Sequence, residues 1–210
     1  MIFDLDFTLI DNSFTICKAF YFALDSFQVP LPPQERILAK IGIPLKEMFL
    51  EYLSAADAEK AKNLFREYYK THYYEGVKFI PGALEVLEKL KGLGYFLAIL
   101  TSKKTEYAKK LLEYLQLNKY FSYILGEQED MAPKPNPAQL KYIISKFPTM
   151  ERVFMIGDHL VDCLAARFAG IPFIGVLTGN TTEQELRKCA GPSAFLLKSI
   201  ADLDPSQHLI

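Results

Sequence analysis

Short, unbroken apolar runs alternate with stretches of helical periodicity from Pro81 to Val176, and few folds accommodate that pattern. Phe96-Leu97-Ala98-Ile99-Leu100 has no polar face, so it suits a strand covered on both sides by helices, which is the environment of a parallel sheet. The spacing predicts helix Ala83 to Leu93, strand Tyr95 to Leu100, helix Thr105 to Leu115 and strand Ser122 to Leu125. It continues with helix Pro137 to Lys146, strand Val153 to Ile156, helix Asp162 to Ala169 and strand Pro172 to Val176. The expected class is α/β, a doubly wound parallel sheet. Met1-Ile2-Phe3 adds a short apolar segment suited to the end of a further buried strand.

Between these parts the period changes. Phe14, Cys17, Ala19, Phe20, Phe22, Ala23 and Phe27 recur at helical spacing, and Pro30, Pro32, Pro33, Gly42 and Pro44 divide the region up to about Tyr74 into about four helices. An all-helical insertion over 13–78 follows, with residues 1–12 and 79–210 forming a Rossmann-like core. Open parallel sheets bind ligands beyond the carboxyl ends of their strands, so an insertion leaving that edge would lie over the site as a cap.

Composition narrows the functional classes. The 24 basic and 25 acidic side chains nearly cancel, so no global field draws the chain to nucleic acid or to an anionic membrane. No uncharged run approaches the ~20 residues needed to span a bilayer, and Asp4 and Asp6 interrupt the apolar stretch near the N-terminus where a leader would lie. A cytoplasmic protein is expected. Cys17, Cys163 and Cys189 have no CxxC spacing and sit in apolar or amphipathic stretches, so all three are read as buried free thiols.

Four weak chemical signals fall close to strand ends. Asp4-x-Asp6 follows the first apolar segment, where one carboxylate can attack phosphorus or bind a metal while the other exchanges a proton. Gly157-Asp158 closes the run Val153 to Ile156, with Asp162 four residues on; Asp158 suits a hard cation, and both acids could equally cap the next helix. Thr101-Ser102 ends another strand before a helix, a place for phosphate oxygens or an ordinary cap. Lys134 lies among Pro133, Pro135 and Pro137, a held point charge suited to phosphate. Together they supply nucleophile, proton donor, metal ligand, hydroxyl and cation for phosphoryl transfer.

The ordered set Asp4-x-Asp6-x-Thr8, Thr101-Ser102, Lys134 and Gly157-Asp158-x-x-x-Asp162 resembles the haloacid dehalogenase superfamily over nearly the whole chain. Ile41-Gly42-Ile43-Pro44-Leu45, Pro81-Gly82, Lys134-Pro135-Asn136-Pro137 and Ala165-Ala166-Arg167-Phe168-Ala169-Gly170 resemble its phosphoglycolate-phosphatase-like branch. The resemblance implies that Asp4 is the nucleophile and Asp6 the acid and base. It implies Mg2+ held by the Asp4 carboxylate, the Asp6 backbone carbonyl and Asp158, with Asp162 orienting ligands or water behind them. Phosphate oxygens would fall to Thr101, the Ser102 backbone and Lys134, while Thr8 would brace the loop and Asp11 and Asn12 would cap the first inserted helix. The implied substrate is a small phosphorylated metabolite such as phosphoglycolate, a sugar phosphate or a nucleotide, handled by a monomer or homodimer.

Two features depart from the family pattern. Phe7 stands where relatives often have glycine, and only three residues precede Asp4 where relatives usually have a longer strand. Asp6 argues against dehalogenases, which lack it. A phosphomutase of the β-phosphoglucomutase type would carry histidine and arginine where Ile16 and Leu45 stand. A catalytically idle protein that keeps the fold to bind a ligand is the remaining alternative.

Overall fold

The computed structural model describes residues 1–209. The chain runs β1 (Ile2–Phe3), β2 (Ile10–Asp11), α1 (Ser13–Asp25), α2 (Gln34–Leu38), α3 (Leu45–Phe49), α4 (Ala55–His72), β3 (Lys78–Phe79), α5 (Ala83–Gly92) and β4 (Ala98–Lys104). It continues through α6 (Thr105–Tyr114), β5 (Tyr123–Glu127), α7 (Ala138–Ser145), β6 (Met155–Gly157), α8 (Leu160–Ala169), β7 (Phe173–Val176), α9 (Glu183–Ala190), β8 (Phe195–Leu197) and α10 (Pro205–His208). Six strands form one sheet in the order β5-β4-β1-β6-β7-β8, and every neighbouring pair is parallel. The expected α/β class and doubly wound parallel sheet are thus observed.

The apolar runs form strands because both faces are covered. Phe3, Leu97, Ile99, Ile156, Ile174 and Val176 join one buried cluster, while Ile2, Ala98, Leu100, Met155 and Phe173 join another on the opposite face. Period-2 alternation sends successive side chains to opposite faces, so a run with no polar member fills both. Helix starts and stops follow local chemistry. The Thr182 side chain accepts from the Glu185 N–H and the Glu185 carboxylate accepts from Thr182 N, while α8 ends at Gly170 in the left-handed region (φ 75).

The helices α1 to α4 lie between β2 and β3, which pair antiparallel with Ile10 opposite Phe79 and Asp11 opposite Lys78. The chain therefore leaves and re-enters the sheet through one narrow ribbon. These helices have their own apolar cluster, in which Phe20 stacks on Phe49 and Phe65 on Tyr69. Phe7 and Tyr107 from the sheet side reach into it.

Several sequence expectations need correction. Strand β4 begins at Ala98 and runs on to Lys104, because Lys104 pairs with Glu127 beyond an irregularity after Leu100. The ribbon β2–β3, the strand β8 and the helices α9 and α10 were not expected from periodicity; β2 and β3 contain two residues each, too few to show a period. The three thiols are not all free: Cys163 on α8 pairs with Cys189 on α9, leaving Cys17 free and buried. Among the described residues no helix is long and apolar enough to cross a membrane.

Candidate active site

Strand β1 sits at the centre of the sheet, where the strand order departs in both directions, with β4 on one side and β6 on the other. Ligand crevices in open parallel sheets form at such a point. Asp4 leaves the carboxyl end of β1, its N–H donating to Ile156 O at 2.8 Å. Thr101 continues from Leu100 on β4, and Asp158 follows Gly157 on β6, so the chain brings all three to one edge of the sheet. Asp4, Thr101, Lys134, Asp158 and Asp162 are each 3% exposed or less.

Lys134 ties the acids together. Its Nζ donates to Asp4 Oδ1 at 2.8 Å, to Asp162 Oδ1 at 2.5 Å and to Leu100 O at 3.2 Å, which uses all three ammonium protons. The surrounding carboxylates hold that ammonium protonated against burial, which by itself would lower its pKa. Asp162 also closes a cap on α8, its Oδ2 accepting from His159 N at 3.2 Å. Asp162 thus fills the helix-capping role while also accepting from Lys134.

Asp4, Asp158 and Asp162 can each offer a carboxylate oxygen with all three oxygens within 4.8 Å of one another. Three buried carboxylates facing one ammonium leave an excess of negative charge. Burial raises the Asp4 pKa to about 6, opposed by Lys134 and reinforced by Asp162. Burial also pushes Asp158 well above the usual carboxylate range, with Asp4 and Asp162 adding to it. A cluster of hard oxygen donors in this state fits a divalent cation, which would remove the repulsion.

The Asp6 carboxylate points elsewhere. Its Oδ2 lies 3.2 Å from Lys103 Nζ, and its Oδ1 is buried without a hydrogen-bond partner. Burial raises the Asp6 pKa and Lys103 opposes the rise. The Lys103 ammonium also sits 4.7 Å from the centre of the Tyr69 ring on α4. Tyr69 in turn is hydrogen-bonded by the Asn12 side chain, so Asn12 does not cap α1 as expected; Asp11 Oδ1 accepts from Ser13 N at 2.9 Å instead.

Thr8 has the expected bracing part, its hydroxyl donating to Asp158 Oδ1 at 3.1 Å. Thr101 Oγ1 accepts from Lys103 N at 3.2 Å, and the Ser102 hydroxyl donates to Gly42 O at 2.6 Å. The Ser102 side chain is thereby committed to the helical insertion, leaving its backbone for any anion. Phe7 takes the left-handed conformation (φ 57) that glycine would adopt freely. The turn is kept at a cost of about 1–2 kcal/mol, held by Phe7 N donating to Ile10 O at 2.7 Å and by the Thr178 hydroxyl donating to Phe7 O.

Sequence reasoning missed Lys103 and Gly179. Lys103 follows Thr101-Ser102 directly, and a lysine between strand and helix reads as solvated. Gly179 lies just beyond β7, where a Cβ would come within 1.9 Å of Asp158 Oδ2. Gly179→Ala should therefore displace Asp158 and reduce kcat on the order of a hundredfold, as an ångström of misplacement commonly does. Steady-state kinetics with a titration of divalent cation checks this; an unchanged cation dependence would contradict the backing role of Gly179.

The chain matches the family described as haloacid dehalogenase-like hydrolase over residues 1–176. A Dickeya dadantii protein named Probable phosphatase IndB is 36% identical over 204 residues, covering 93% of this chain and 88% of that one. A protein named Phosphoglycolate phosphatase from Haemophilus influenzae is 32% identical over 189 residues, 84% of each chain. Among solved structures, a haloacid dehalogenase-like hydrolase from Bacteroides fragilis superposes with a TM-score of 0.89 at 26% identity, covering 97% of this chain and 98% of that one. With its site built on the carboxyl edge of β1, β4 and β6, the chain belongs to the haloacid dehalogenase-like hydrolase family.

Proposed function

We propose that the chain is a Mg2+-dependent phosphatase that hydrolyses small phosphate monoesters through Asp4. The observation that carries this reading is the set of buried groups at one sheet edge: Asp4 held at 2.8 Å by Lys134, with Asp158 and Asp162 completing an oxygen cluster within 4.8 Å. The names of the Dickeya and Haemophilus relatives support it. Asp4 and Asp158, with the Asp6 backbone carbonyl, would hold the cation, and Asp162 would orient its surroundings through Lys134. Magnesium, when bound, supplies the positive charge that lets a carboxylate approach a phosphate dianion.

In the first step an Asp4 carboxylate oxygen forms a bond to phosphorus, the ester P–O bond breaks, and Asp6 gives its proton to the departing alkoxide. In the second, water attacks phosphorus, the bond to Asp4 breaks, and Asp6 recovers a proton from that water. The raised pKa of Asp6 suits both duties. Lys134, Thr101 and the Ser102 N–H would hold the remaining phosphate oxygens. Residues 13–78 act as a cap that excludes water from the site, and residues 1–12 with 79–210 form the catalytic core.

Mutase chemistry is disfavoured by what lines the adjoining cavity. Ile16 and Leu45 stand on its wall, so apolar groups occupy the places where that type carries histidine and arginine. Phosphate release from a panel of small monoesters tests the proposal: Mg2+-dependent hydrolysis is expected, abolished by chelator and restored by Mg2+. Release that persists unchanged in excess chelator, or none from any ester, would refute it. Asp6→Asn should lower kcat about 10²–10⁴-fold, more for esters of less acidic alcohols; equal losses across leaving groups would remove the proton-transfer role.

A further inference from the structure

The bond between Cys163 and Cys189 joins two elements that bear on the catalytic edge from different sides. Cys163 follows Asp162 directly near the start of α8 and is 1% exposed. Cys189 lies in the last turn of α9, and α9 begins where the segment 177–182 leaving β7 ends. That segment meets the site in three places. The Thr178 hydroxyl donates to Phe7 O, Gly179 packs too closely on Asp158 Oδ2 to admit a Cβ, and the Asn180 side chain donates to Leu38 O of the helical insertion at 2.9 Å.

Little else fixes α9. Leu186 alone among its described residues is buried, whereas Glu183, Gln184, Glu185 and Lys188 are exposed. The cross-link spans 26 residues and so encloses β7 and all of the segment 177–182. It is also open to reagents. Cys189 is partly exposed and lines two surface cavities, and the exposed Arg167 and Lys188 stand on the walls of both. Glu185 also lines the second cavity, but its carboxylate accepts from Thr182 N and from the Thr182 hydroxyl. A thiolate reductant is an anion, so the two cations favour its approach to the Cys189 sulfur over the buried Cys163. The Cα atoms of the pair lie 6.5 Å apart, a span that a disulfide crosses without backbone movement, so the bond can close again in the folded chain.

We propose that Cys163 and Cys189 form a redox-modification site, reduced by dithiols in the folded protein, and that its state sets how firmly the segment 177–182 holds Asp158. First, a thiolate of the dithiol bonds to Cys189 Sγ, the bond between the two Sγ atoms breaks, and the Cys163 sulfur leaves with the electron pair and takes a proton. The second sulfur of the dithiol, losing its proton, then bonds to the first, and the Cys189 sulfur leaves and takes a proton. Two electrons and two protons thus pass to the protein and the dithiol ends as a cyclic disulfide; a disulfide oxidant reverses the sequence. The effect on Asp158 rests on the proposed cation site, whereas the reversibility of the bond does not.

The test takes the wild type, Cys189→Ser and Cys17→Ser, each oxidised with a disulfide and then treated with dithiothreitol without denaturant. The oxidised wild type should yield the tryptic peptides Val153 to Arg167 and Cys189 to Lys198 joined, and the reduced protein should yield them apart. Reduction should lower the melting temperature by roughly 4–16 °C, as loss of a cross-link does in a chain of this size. With the dithiol removed anaerobically, Mg2+ binding read by calorimetry should be weaker by about tenfold, the low end for changes behind a metal ligand. Both readouts should recover on reoxidation. Cys189→Ser should match the reduced wild type with or without dithiol, and Cys17→Ser should respond as the wild type does. Peptides that stay joined in dithiol until the chain unfolds, equal melting temperatures, or equal Mg2+ affinity in the two states would overturn the proposal and leave the phosphatase reading standing. Mg2+ that binds neither state would sink the proposal together with the cation site it rests on. None of these readouts needs turnover, so a wild type that hydrolyses no ester would count against the phosphatase reading alone.

Discussion

Asp4→Asn is expected to abolish turnover while leaving the fold intact, with kcat falling by at least about 10⁴. Removing a group that forms the covalent intermediate costs this much in enzymes whose residues act as a unit. Asparagine has nearly the same volume and can keep the place beside Phe3 and Ile156, so lost packing does not explain a loss of that size. The amide cannot displace an alkoxide from phosphorus as a carboxylate does. Activity within about tenfold of wild type, with the far-UV spectrum and melting temperature unchanged, would mean that another group attacks.

The second large effect concerns stability. Lys134→Met should destabilise the cation-free protein by about 3–5 kcal/mol, the usual result of removing one member of a buried ion pair. The Lys134 side chain is 1% exposed and contacts Asp4 and Asp162, whose side chains are 4% and 0% exposed. Solvent screening therefore does little to soften the loss. For a chain of 210 residues that corresponds to a fall in melting temperature of roughly 6–20 °C. Mg2+ should recover part of it, because a cation that binds only the folded state stabilises by mass action. Lys104→Met, a partly exposed control, should move stability by no more than about 0.5 kcal/mol. Equal melting temperatures for Lys134→Met and wild type would show that Lys134 does not hold the acid cluster together.

Much of this arrangement could be read from the chain alone, for a definite reason. A run such as Phe96 to Leu100 can be buried only with helices on both faces, so the pattern implies a parallel sheet, and the sheet implies where Asp4, Thr101 and Asp158 must emerge. The parts that escaped notice lack a periodic or local signal. Strand β8 is three residues long, too short for its apolar run to be told from a piece of helix. The pairing of Cys163 with Cys189, 26 residues apart, depends on how α8 packs against α9. Lys103 looks like a surface lysine until the insertion brings Tyr69 over it. Gly179 has meaning only once Asp158 is seen against its backbone. Phe7 stands where relatives often have glycine, and only the structure shows that it adopts the glycine-like conformation.

Trapping the covalent intermediate tests the assigned nucleophile most directly. Turnover on a small phosphate ester with Mg2+ is quenched in acid, reduced with borohydride and digested, and the N-terminal peptide ending at Lys18 is sequenced by mass spectrometry. An acyl phosphate on Asp4 is reduced to homoserine, so homoserine at position 4 is the expected result, absent without substrate. Homoserine at position 6 or 158, or turnover with no reducible carboxylate at all, would contradict attack by Asp4.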